Sequence, residues 1–343
     1  MAGPQNGFGA GRPDTTRRRK VHPLPIVLIV GWLCAAGGGT PPVGANAGQA
    51  LANVPRCFQS AGRGAARQRP APALAAGTAQ PASTPPPDAG ATRFFRAWAR
   101  LSERTQAQEP DWLSPIATTS GRLKQEFRYD VWRQIKPSGE VDYTFSGAKG
   151  LELIVAPRLQ VLLGVPSYVE HTNGGPRDGF GDLPLMLKIR IASAPAGEGE
   201  YLVTLIVSTT VPTGSRAVGL HAAVLSPAIA VGKAWGRFDV QSTLGPSLPT
   251  GDTTRLGRQF AWNTTFQYRA RWMLWPEWEV NSTSYLTGPN AGDTQAFLTP
   301  GLGFGRVRLW RNLRYSAAAG CQIAATRFHT YNHQWMFSSR LNF

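Results

Sequence analysis

The chain has 343 residues with a formal net charge of +16, and 42% of them are hydrophobic, which is near the average for a globular protein. It combines 38 Gly, 28 Pro and 11 Trp with only 16% charged residues, so composition alone does not predict a membrane protein. The charge suggests nucleic acid, anionic lipid or acidic solutes as partners. No dense basic helix or aromatic-basic ladder is present, and we therefore expect no nucleic-acid partner.

The first predicted element is an export signal over residues 1–47. The stretch RRRKVHPLPIVLIVGWLCAAGGG has a cationic start and an apolar run from Leu24 to Ala36, which is short for a membrane span. Cleavage is expected between residues 36 and 47, after Ala36 or at Ala45-Asn46-Ala47, and an uncleaved anchor is the alternative. After cleavage only Cys57 and Cys321 remain, so we predict no disulfide, no metal site and no cofactor.

Two segments separate this signal from the rest of the chain. Residues 48–91 are rich in Ala, Pro, Gly and Arg and predict a disordered linker. In residues 92–120, Phe94, Phe95, Trp98 and Leu101 fall close to one face of a helix. This periplasmic segment is expected to form a short amphipathic helix that lies on a membrane or plugs a pore, or else to be disordered.

From residue 121 to residue 343 the pattern is alternation with a period of two. In LPLMLKIRI, aliphatic residues from Leu183 to Ile191 take one face, whereas Lys188 and Arg190 take the other, which is typical of a strand and not of a helix. Twelve such runs are present, at 122–134, 142–155, 159–169, 183–193, 201–211, 223–234, 237–248, 259–271, 277–287, 294–306, 312–324 and 331–343.

The connections between the runs favour a transmembrane barrel over a soluble sandwich. The odd-numbered connections are long and polar, such as EHTNGGPRDGFG and PTGSRAVGLHA, and most even-numbered ones are tight, such as APR. Outer-membrane barrels have long loops outside and short turns on the periplasmic side. The predicted fold class is therefore an all-β, antiparallel, up-and-down barrel of about twelve strands, with ten or fourteen also allowed.

Tryptophans provide an independent indication, because they cluster at the ends of the predicted strands. Indole rings concentrate where hydrocarbon meets lipid headgroups. The residues predicted to form two interface girdles are Trp235, Trp262, Trp272, Trp275, Trp278, Trp310 and Trp335.

Several stretches resemble a known family. DWLSPIATTSGRLKQEFRYD, GLELIVAPRLQVLLGVPSY, GFGDLPLMLKIRI and SPAIAVGKAWGRFDVQSTLG are similar to the MetA-pathway phenol-degradation family of outer-membrane transporter-like proteins, over about Asp111 to Phe343. The resemblance implies an outer-membrane β-barrel that takes up aromatic or other small hydrophobic compounds. It supplies no set of binding residues.

If the apolar faces contact lipid, the opposite faces line the lumen. The predicted lumen residues are Glu126, Arg128, Asp130, Glu152, Lys188, Arg190, Asp239, Arg269, Glu277, Glu279 and Arg340. Charges of both signs in a narrow barrel are expected to pair and hold the wall together. The alternative is a basic constriction at Lys188 and Arg190 that favours anionic solutes. A lumen of twelve strands also favours a gated or plugged path, with the segment around Phe94 to Leu101 as the candidate plug.

Two other classes of function remain. A phospholipase-like barrel enzyme would need a His and a Ser together at the outer rim, and His171 has no Ser two residues on, so we predict no enzyme. A barrel that conducts nothing and serves a structural role is the second alternative.

The chain ends on an alternating run, MFSSRLNF. Phe337, Leu341 and Phe343 share the lipid-facing parity and resemble the C-terminal signal by which barrels are recognised for assembly. We therefore expect an outer-membrane location in a Gram-negative-type cell with both termini in the periplasm. The expected partners are outer-membrane lipid, the barrel-assembly machinery and a small hydrophobic or aromatic solute.

Overall fold

The computed structural model describes residues 88–147, 149–172 and 176–343 of the chain. The predicted export signal and nearly all of the predicted linker lie outside these residues. A helix, α1, spans Asp88–Ala107. It therefore begins inside the range predicted as linker and includes the residues whose pattern predicted a helix.

Fifteen strands follow α1 in the described part of the chain. They are β1 (Glu126–Ile135), β2 (Val141–Ser146), β3 (Gly150–Ala156), β4 (Leu159–Gly164), β5 (Tyr168–Thr172), β6 (Gly179–Phe180), β7 (Leu183–Ala194), β8 (Tyr201–Val211), β9 (Val224–Trp235), β10 (Phe238–Pro249), β11 (Gln259–Tyr268), β12 (Leu274–Tyr285), β13 (Thr294–Trp310), β14 (Leu313–Ala324) and β15 (His333–Asn342). A short helix, α2 (Thr253–Leu256), precedes β11, and a 3₁₀ turn (Arg271–Met273) precedes β12.

The strands form a closed antiparallel barrel. From β7 to β15 each strand pairs with its neighbour in sequence, and β15 pairs with β1 from Glu126↔Asn342 to Ile135↔His333, which closes the sheet. Since β2 and β3 share one wall position, β4 and β5 share another, and β6 leads directly into β7, the wall has twelve strand positions. The predicted fold class, a closed twelve-stranded antiparallel barrel, is confirmed.

Two of the predicted runs, 142–155 and 159–169, are each divided in two. Ser146 and Gly147 have positive φ angles of 74° and 55°, so the chain leaves the sheet between β2 and β3. Pro166 lies in the gap between β4 and β5 and has no N–H to donate to a ladder. The ladder between β4 and β7 ends at Leu163↔Leu185, and the ladder between β5 and β6 begins at Tyr168↔Phe180. A break of a few residues therefore crosses neighbouring strands at one level of the wall.

The two faces of the wall have the composition expected of a barrel in lipid. Inward side chains are mostly polar and buried, as with Thr204, Gln241 and Thr299. Outward side chains include many large apolar residues that are at least 36% exposed, among them Leu163, Ile191, Ile229, Leu302, Phe304 and Ile323. A protein folded around an apolar core in water has the opposite arrangement.

Most of the predicted girdle tryptophans lie on the outward face near strand ends. Trp310, Trp335, Trp278, Trp235 and Trp262 are between 69% and 36% exposed. Trp275 is different, because it is only 7% exposed and shares the inward parity of Glu277 and Glu279. Its predicted place in the girdle is therefore a correction, since proximity to a strand end does not fix the face. The side chain of Trp272 lies outside what the structure describes.

The last strand has the predicted register. Phe337, Leu341 and Phe343 are 48%, 36% and 43% exposed on the outward face, and Ser338 and Arg340 face inward and are buried.

None of the helices in the described ranges is both long enough and apolar enough to cross a bilayer.

Candidate functional site

The lumen contains a segment of the chain itself. Residues 109–125, here called the plug, connect α1 to β1 and lie inside the barrel. Its large apolar side chains Trp112, Leu113, Ile116 and Leu123 are 3%, 3%, 2% and 0% exposed. The plug therefore forms an apolar core inside a polar wall.

Wall glycines make room for these side chains. A Cβ placed on Gly301 would lie 2.6 Å from Ile116 Cδ1, and one on Gly303 would overlap Leu113. On the other side of the barrel, a Cβ on Gly232 would overlap the Trp112 ring. The fit between plug and wall therefore depends on the absence of a side chain at these positions.

One carboxylate holds the centre of the plug. Glu279 Oε1 accepts hydrogen bonds from the backbone N–H groups of Ile116 and Ala117 at 2.8 and 2.9 Å. Its Oε2 accepts from the N–H and the hydroxyl of Thr118, both at 2.6 Å. Glu279 is 0% exposed, and no cation lies within ion-pair distance of it among the described residues. Residues 116–118 thus supply three backbone N–H groups and one hydroxyl as donors to a buried negative charge.

Two arginines hold the carbonyl groups next to this point. Arg128 donates to Ile116 O at 2.7 Å and to Pro115 O at 3.3 Å, and it pairs with Asp130 at 2.8 Å. Arg340 donates to Ser114 O at 2.5 Å and Pro115 O at 3.0 Å. Both guanidinium groups therefore donate to backbone carbonyls of the plug. These bonds fix the path of its backbone and involve none of its side chains.

The plug crosses from one side of the lumen to the other. Beyond Thr118, Thr119 O accepts from Thr243 Oγ1 at 2.7 Å, and Gly121 O accepts from Thr204 Oγ1 at 2.8 Å. These acceptors reach β10 and β8, whereas Arg340 and Glu279 stand on β15 and β12. The plug therefore spans the half of the lumen next to α1.

The two residues considered as a basic constriction are neutralised. Lys188 pairs with Glu152 at 3.2 Å, and Arg190 pairs with Glu109 of the plug at 3.2 Å. Arg190 also donates to Thr105 O at 2.7 Å. Since both side chains are at most 4% exposed, neither is free to attract an anion.

The other predicted lumen residues are placed as follows. Buried on the inward face, at 0% to 5% exposed, are Glu126, Arg128, Asp130, Glu152, Lys188, Arg190, Asp239, Glu277, Glu279 and Arg340. Arg269 lies beyond the end of β11 and is exposed, with its guanidinium 5.7 Å from the Trp275 ring.

The segment that fills the lumen is not the stretch from Phe94 to Leu101 named as the candidate plug, although part of it lies within residues 92–120, for which a helix or a plug was expected. Phe94 and Phe95 are 64% and 59% exposed on α1, outside the barrel interior. The stretch from Glu109 to Gln125 fills it instead. It has no helical or strand periodicity, so sequence pattern offered no signal for it, whereas glycines on inward parity at 232, 301 and 303 did.

The half of the lumen away from α1 contains a chamber of about 280 Å³. Apolar residues Leu162, Met186, Leu220 and Val224 line part of it. The hydroxyl-bearing residues that line it are Ser208, Thr209, Thr210, Ser226 and Ser247. None of its described lining residues is charged, and sequence analysis did not identify it.

One hydroxyl in this chamber has no hydrogen-bond partner. Thr210 Oγ1 is buried and makes no hydrogen bond among the described residues. A buried hydroxyl without a partner is costly, and this oxygen has almost no surface open to the chamber. The chamber also adjoins the wall break, since Pro184 lines it and packs against Gly164.

A charged cluster lies next to the β1–β2 turn, at the end of the barrel away from α1. Lys136 Nζ lies 2.9 Å from both Glu140 and Asp142, and His171 Nδ1 lies 2.7 Å from Asp142 Oδ1. Burial alone lowers the pKa of Lys136, but hydrogen bonds to the two carboxylates raise it overall, so the ammonium stays charged at neutral pH.

The same cluster bears on two predictions. The oxygen and nitrogen atoms of Glu140, Asp142 and His171 lie within 4.8 Å of one another, which is a metal-like grouping that the sequence did not predict. The ammonium of Lys136 pairs with both carboxylates and compensates one of their two negative charges. His171 and Asp142 form an acid-base pair, but the ring Nε2 has no hydroxyl or other partner among the described residues.

No family model matches the chain, and no curated protein sequence matches it. The resemblance to the MetA-pathway family therefore stays a prediction. Among solved structures, the COG4313 outer membrane channel from Pseudomonas putida F1 is similar, at 13% identity and a TM-score of 0.44, over 64% of this chain and 94% of that one.

Two porins are similar at the same level. The NanC porin has 7% identity and a TM-score of 0.42 over 64% of this chain and 98% of its own. The KdgM porin has 8% identity and a TM-score of 0.39 over 64% of this chain and 99% of its own. Likenesses this distant carry no argument about function, which has to come from the geometry.

Proposed function

We propose that the chain is an outer-membrane β-barrel channel that passes small uncharged compounds, hydrophobic or aromatic in character. The observation that carries this proposal is the uncharged chamber above a plug whose neighbouring charged side chains, such as Glu279 and Arg340, are already bonded to the plug. Solutes with a charge would lose water on entering it and find no counter-charge. An apolar solute loses nothing comparable and gains by leaving water.

The outward face supports the membrane location. Apolar side chains there would cover the wall with exposed hydrophobic surface in water, far beyond the patches that soluble monomers carry. Leu302 and Ile229 are 47% and 48% exposed in the middle of their strands, and tryptophans lie near the ends. This distribution suits a band of hydrocarbon between two interfaces.

The size of the chamber suits compounds with a single ring. A cavity of about 150 Å³ holds one benzene molecule, and this chamber measures about 280 Å³. The serine and threonine residues that line it can form hydrogen bonds with a ring that bears a hydroxyl group, which benzene cannot. We therefore expect hydroxylated single-ring compounds to be preferred.

A second candidate function, a barrel that conducts nothing, is favoured by one observation. The plug fills the periplasmic half of the lumen, with Glu279, Arg128 and Arg340 all bonded to it. In our proposal a solute leaves the chamber either when the plug shifts or at the wall break beside Pro184. In the alternative neither route is used.

Solute uptake into proteoliposomes separates the two. Vesicles with the full-length protein are compared with empty vesicles for uptake of a phenol, a benzoate and a sugar. The proposal expects faster entry of the phenol only. Equal rates for protein-bearing and empty vesicles with every solute would support the non-conducting barrel.

A pair of variants locates the path. Met186→Glu puts a charge into the chamber and should abolish the added phenol uptake, because the charge retains water there. Gln134→Glu is the matched control, since Gln134 faces the same lumen but bonds Gln334 on the neighbouring strand and does not line the chamber. Equal loss in both variants would place the path outside the chamber.

A further inference from the structure

The N-terminal half of α1 carries an exposed aromatic group. Phe94 and Phe95 are 64% and 59% exposed, and their ring centroids are 5.6 Å apart. The Trp98 ring lies 6.5 Å from Phe94 and 6.4 Å from Phe95. Three clustered rings on a surface are unfavourable in water, so something apolar is expected to cover them.

The same helix carries a stripe of arginines. Arg93, Arg96, Arg100 and Arg104 are spaced three or four residues apart, so they lie along one side of α1. All four are exposed, and none lies within 4.0 Å of a carboxylate in the described ranges. Guanidinium groups bind phosphate oxygens in pairs, which makes this stripe complementary to lipid phosphates.

The C-terminal half of α1 is fixed to the periplasmic end of the barrel. Ser102 and Thr105 are buried at 4% and 1% exposed, and Arg190 of the wall bonds Thr105 O at 2.7 Å. Trp98 Nε1 donates to Ile154 O at 2.7 Å, at the end of β3. The helix is therefore held at the rim, and its first turns extend beyond the contact at Trp98.

The position of the Trp98–Ile154 contact indicates what covers the aromatic rings. Val155, the neighbour of Ile154, is 47% exposed and belongs to the outward apolar face. The aromatic group thus lies beside the periplasmic edge of the surface that we assign to lipid, where hydrocarbon meets phosphate headgroups. Helices with aromatic and cationic sides lie in this kind of interface.

We propose that residues 92–104 of α1 dock on the periplasmic leaflet, with Phe94 and Phe95 in the acyl boundary and the arginine stripe on phospholipid phosphates. This rests on the proposed membrane location of the barrel. Docking would anchor the helix that precedes the plug, and would couple the position of the plug to the leaflet beneath it.

Quenching by brominated phospholipid tests the contact in the full-length protein. The background carries Cys34→Ser, Cys57→Ser and Cys321→Ser, and a single new cysteine is labelled with a bimane fluorophore. Reconstitution uses vesicles of phosphatidylethanolamine and phosphatidylglycerol with brominated acyl chains. Three positions are compared in separate variants, Phe94→Cys, Ala99→Cys and Ala319→Cys.

Each position reports on a different surface. Ala319 is exposed on the outward wall, so its label should be quenched if the barrel is inserted. Ala99 lies on the same helix but lines the cavity at the barrel mouth, so its label should remain bright. The proposal predicts strong quenching at position 94, comparable to that at position 319.

The outcomes are distinct. Quenching at 319 without quenching at 94 would overturn the docking of the helix and leave the barrel in the membrane. No quenching at 319 would overturn the membrane location and the docking together. Equal quenching at 94 and 99 would also contradict a specific docked face.

A second variant tests the charge. Changing all four arginines to glutamine in the Phe94→Cys protein removes the phosphate contacts. The rings of Phe95 and Trp98 stay in place. Quenching at 94 should then fall and lose its dependence on salt, whereas the wild-type stripe should show quenching that weakens as salt rises. Quenching unchanged in strength and in salt response would overturn the role of the phosphates.

Discussion

Removing the carboxylate of Glu279 should loosen the plug at its centre. Glu279→Ala leaves three backbone N–H groups and the hydroxyl of Thr118 without their acceptor inside the barrel. Each orphaned buried group costs about 1 kcal/mol or more. Water that enters the lumen and the removal of a buried charge offset part of this cost. We therefore expect the free energy of opening the plug to fall by about 3 kcal/mol.

That free energy has a measurable consequence for the plug backbone. Since about 1.4 kcal/mol is a factor of ten in an equilibrium constant, the open fraction around residues 116–118 should rise by about a hundredfold. Hydrogen exchange of the amides of Ile116, Ala117 and Thr118 in the reconstituted barrel measures this directly. Ion conductance in planar bilayers should rise in the same variant, because the seated plug closes the lumen.

Glu277→Ala is the matched control for this prediction. Glu277 faces inward on the same strand, is 5% exposed, and bonds Gln267 rather than the plug. Its loss should leave exchange at residues 116–118 unchanged. Full protection of these amides in Glu279→Ala, or equal loss of protection in both variants, would refute the conclusion that Glu279 holds the plug in place.

The other predictions concern the wall and the end of the chain. Gly303→Leu should displace Leu113 and raise conductance as Glu279→Ala does. The control Ala319→Leu, on the outward face, should leave conductance unchanged. If single channels of Gly303→Leu stay closed, the close fit between plug and wall is contradicted. Deleting Phe343 should lower the amount of heat-modifiable barrel in the outer membrane more than Arg340→Gln does, and normal levels after the deletion would count against its role in assembly.

Much of the wall was predictable because alternation in sequence translates directly into alternation of faces. The run from Leu183 to Ile191 is an example, since Lys188 and Arg190 are buried inward while Ile191 is 54% exposed. Chain closure also follows from an even number of strands with short turns on one side. The charges on the inward faces could therefore be assigned by parity alone.

The divided runs could have been predicted in part. SGAKG at 146–150 contains two glycines within an alternating run, and Pro166 interrupts the next one. Such residues mark bulges or bends in strands. The prediction that Trp275 belongs to an interface girdle failed for a different reason. It was based on the distance to a strand end, although the shared parity with Glu277 and Glu279 places the side chain inside.

The plug and the chamber could not be predicted from pattern. The conformation of residues 109–125 is set by wall side chains that are distant in sequence, such as Glu279 at 163 residues from Ile116. No local propensity encodes such contacts. The chamber is lined by residues of β4, β7, β8, β9 and β10 and by Leu220 of a loop, so it exists only once these separate strands lie side by side.

Parallel measurement of ion conductance and phenol uptake on the same reconstituted protein tests the central claim most directly. A plugged barrel with an uncharged chamber predicts low conductance together with phenol entry well above that of empty vesicles. Met186→Glu should remove the uptake without raising the conductance. High conductance with equal entry of phenol, benzoate and sugar would contradict the claim, because it would describe an open and unselective pore.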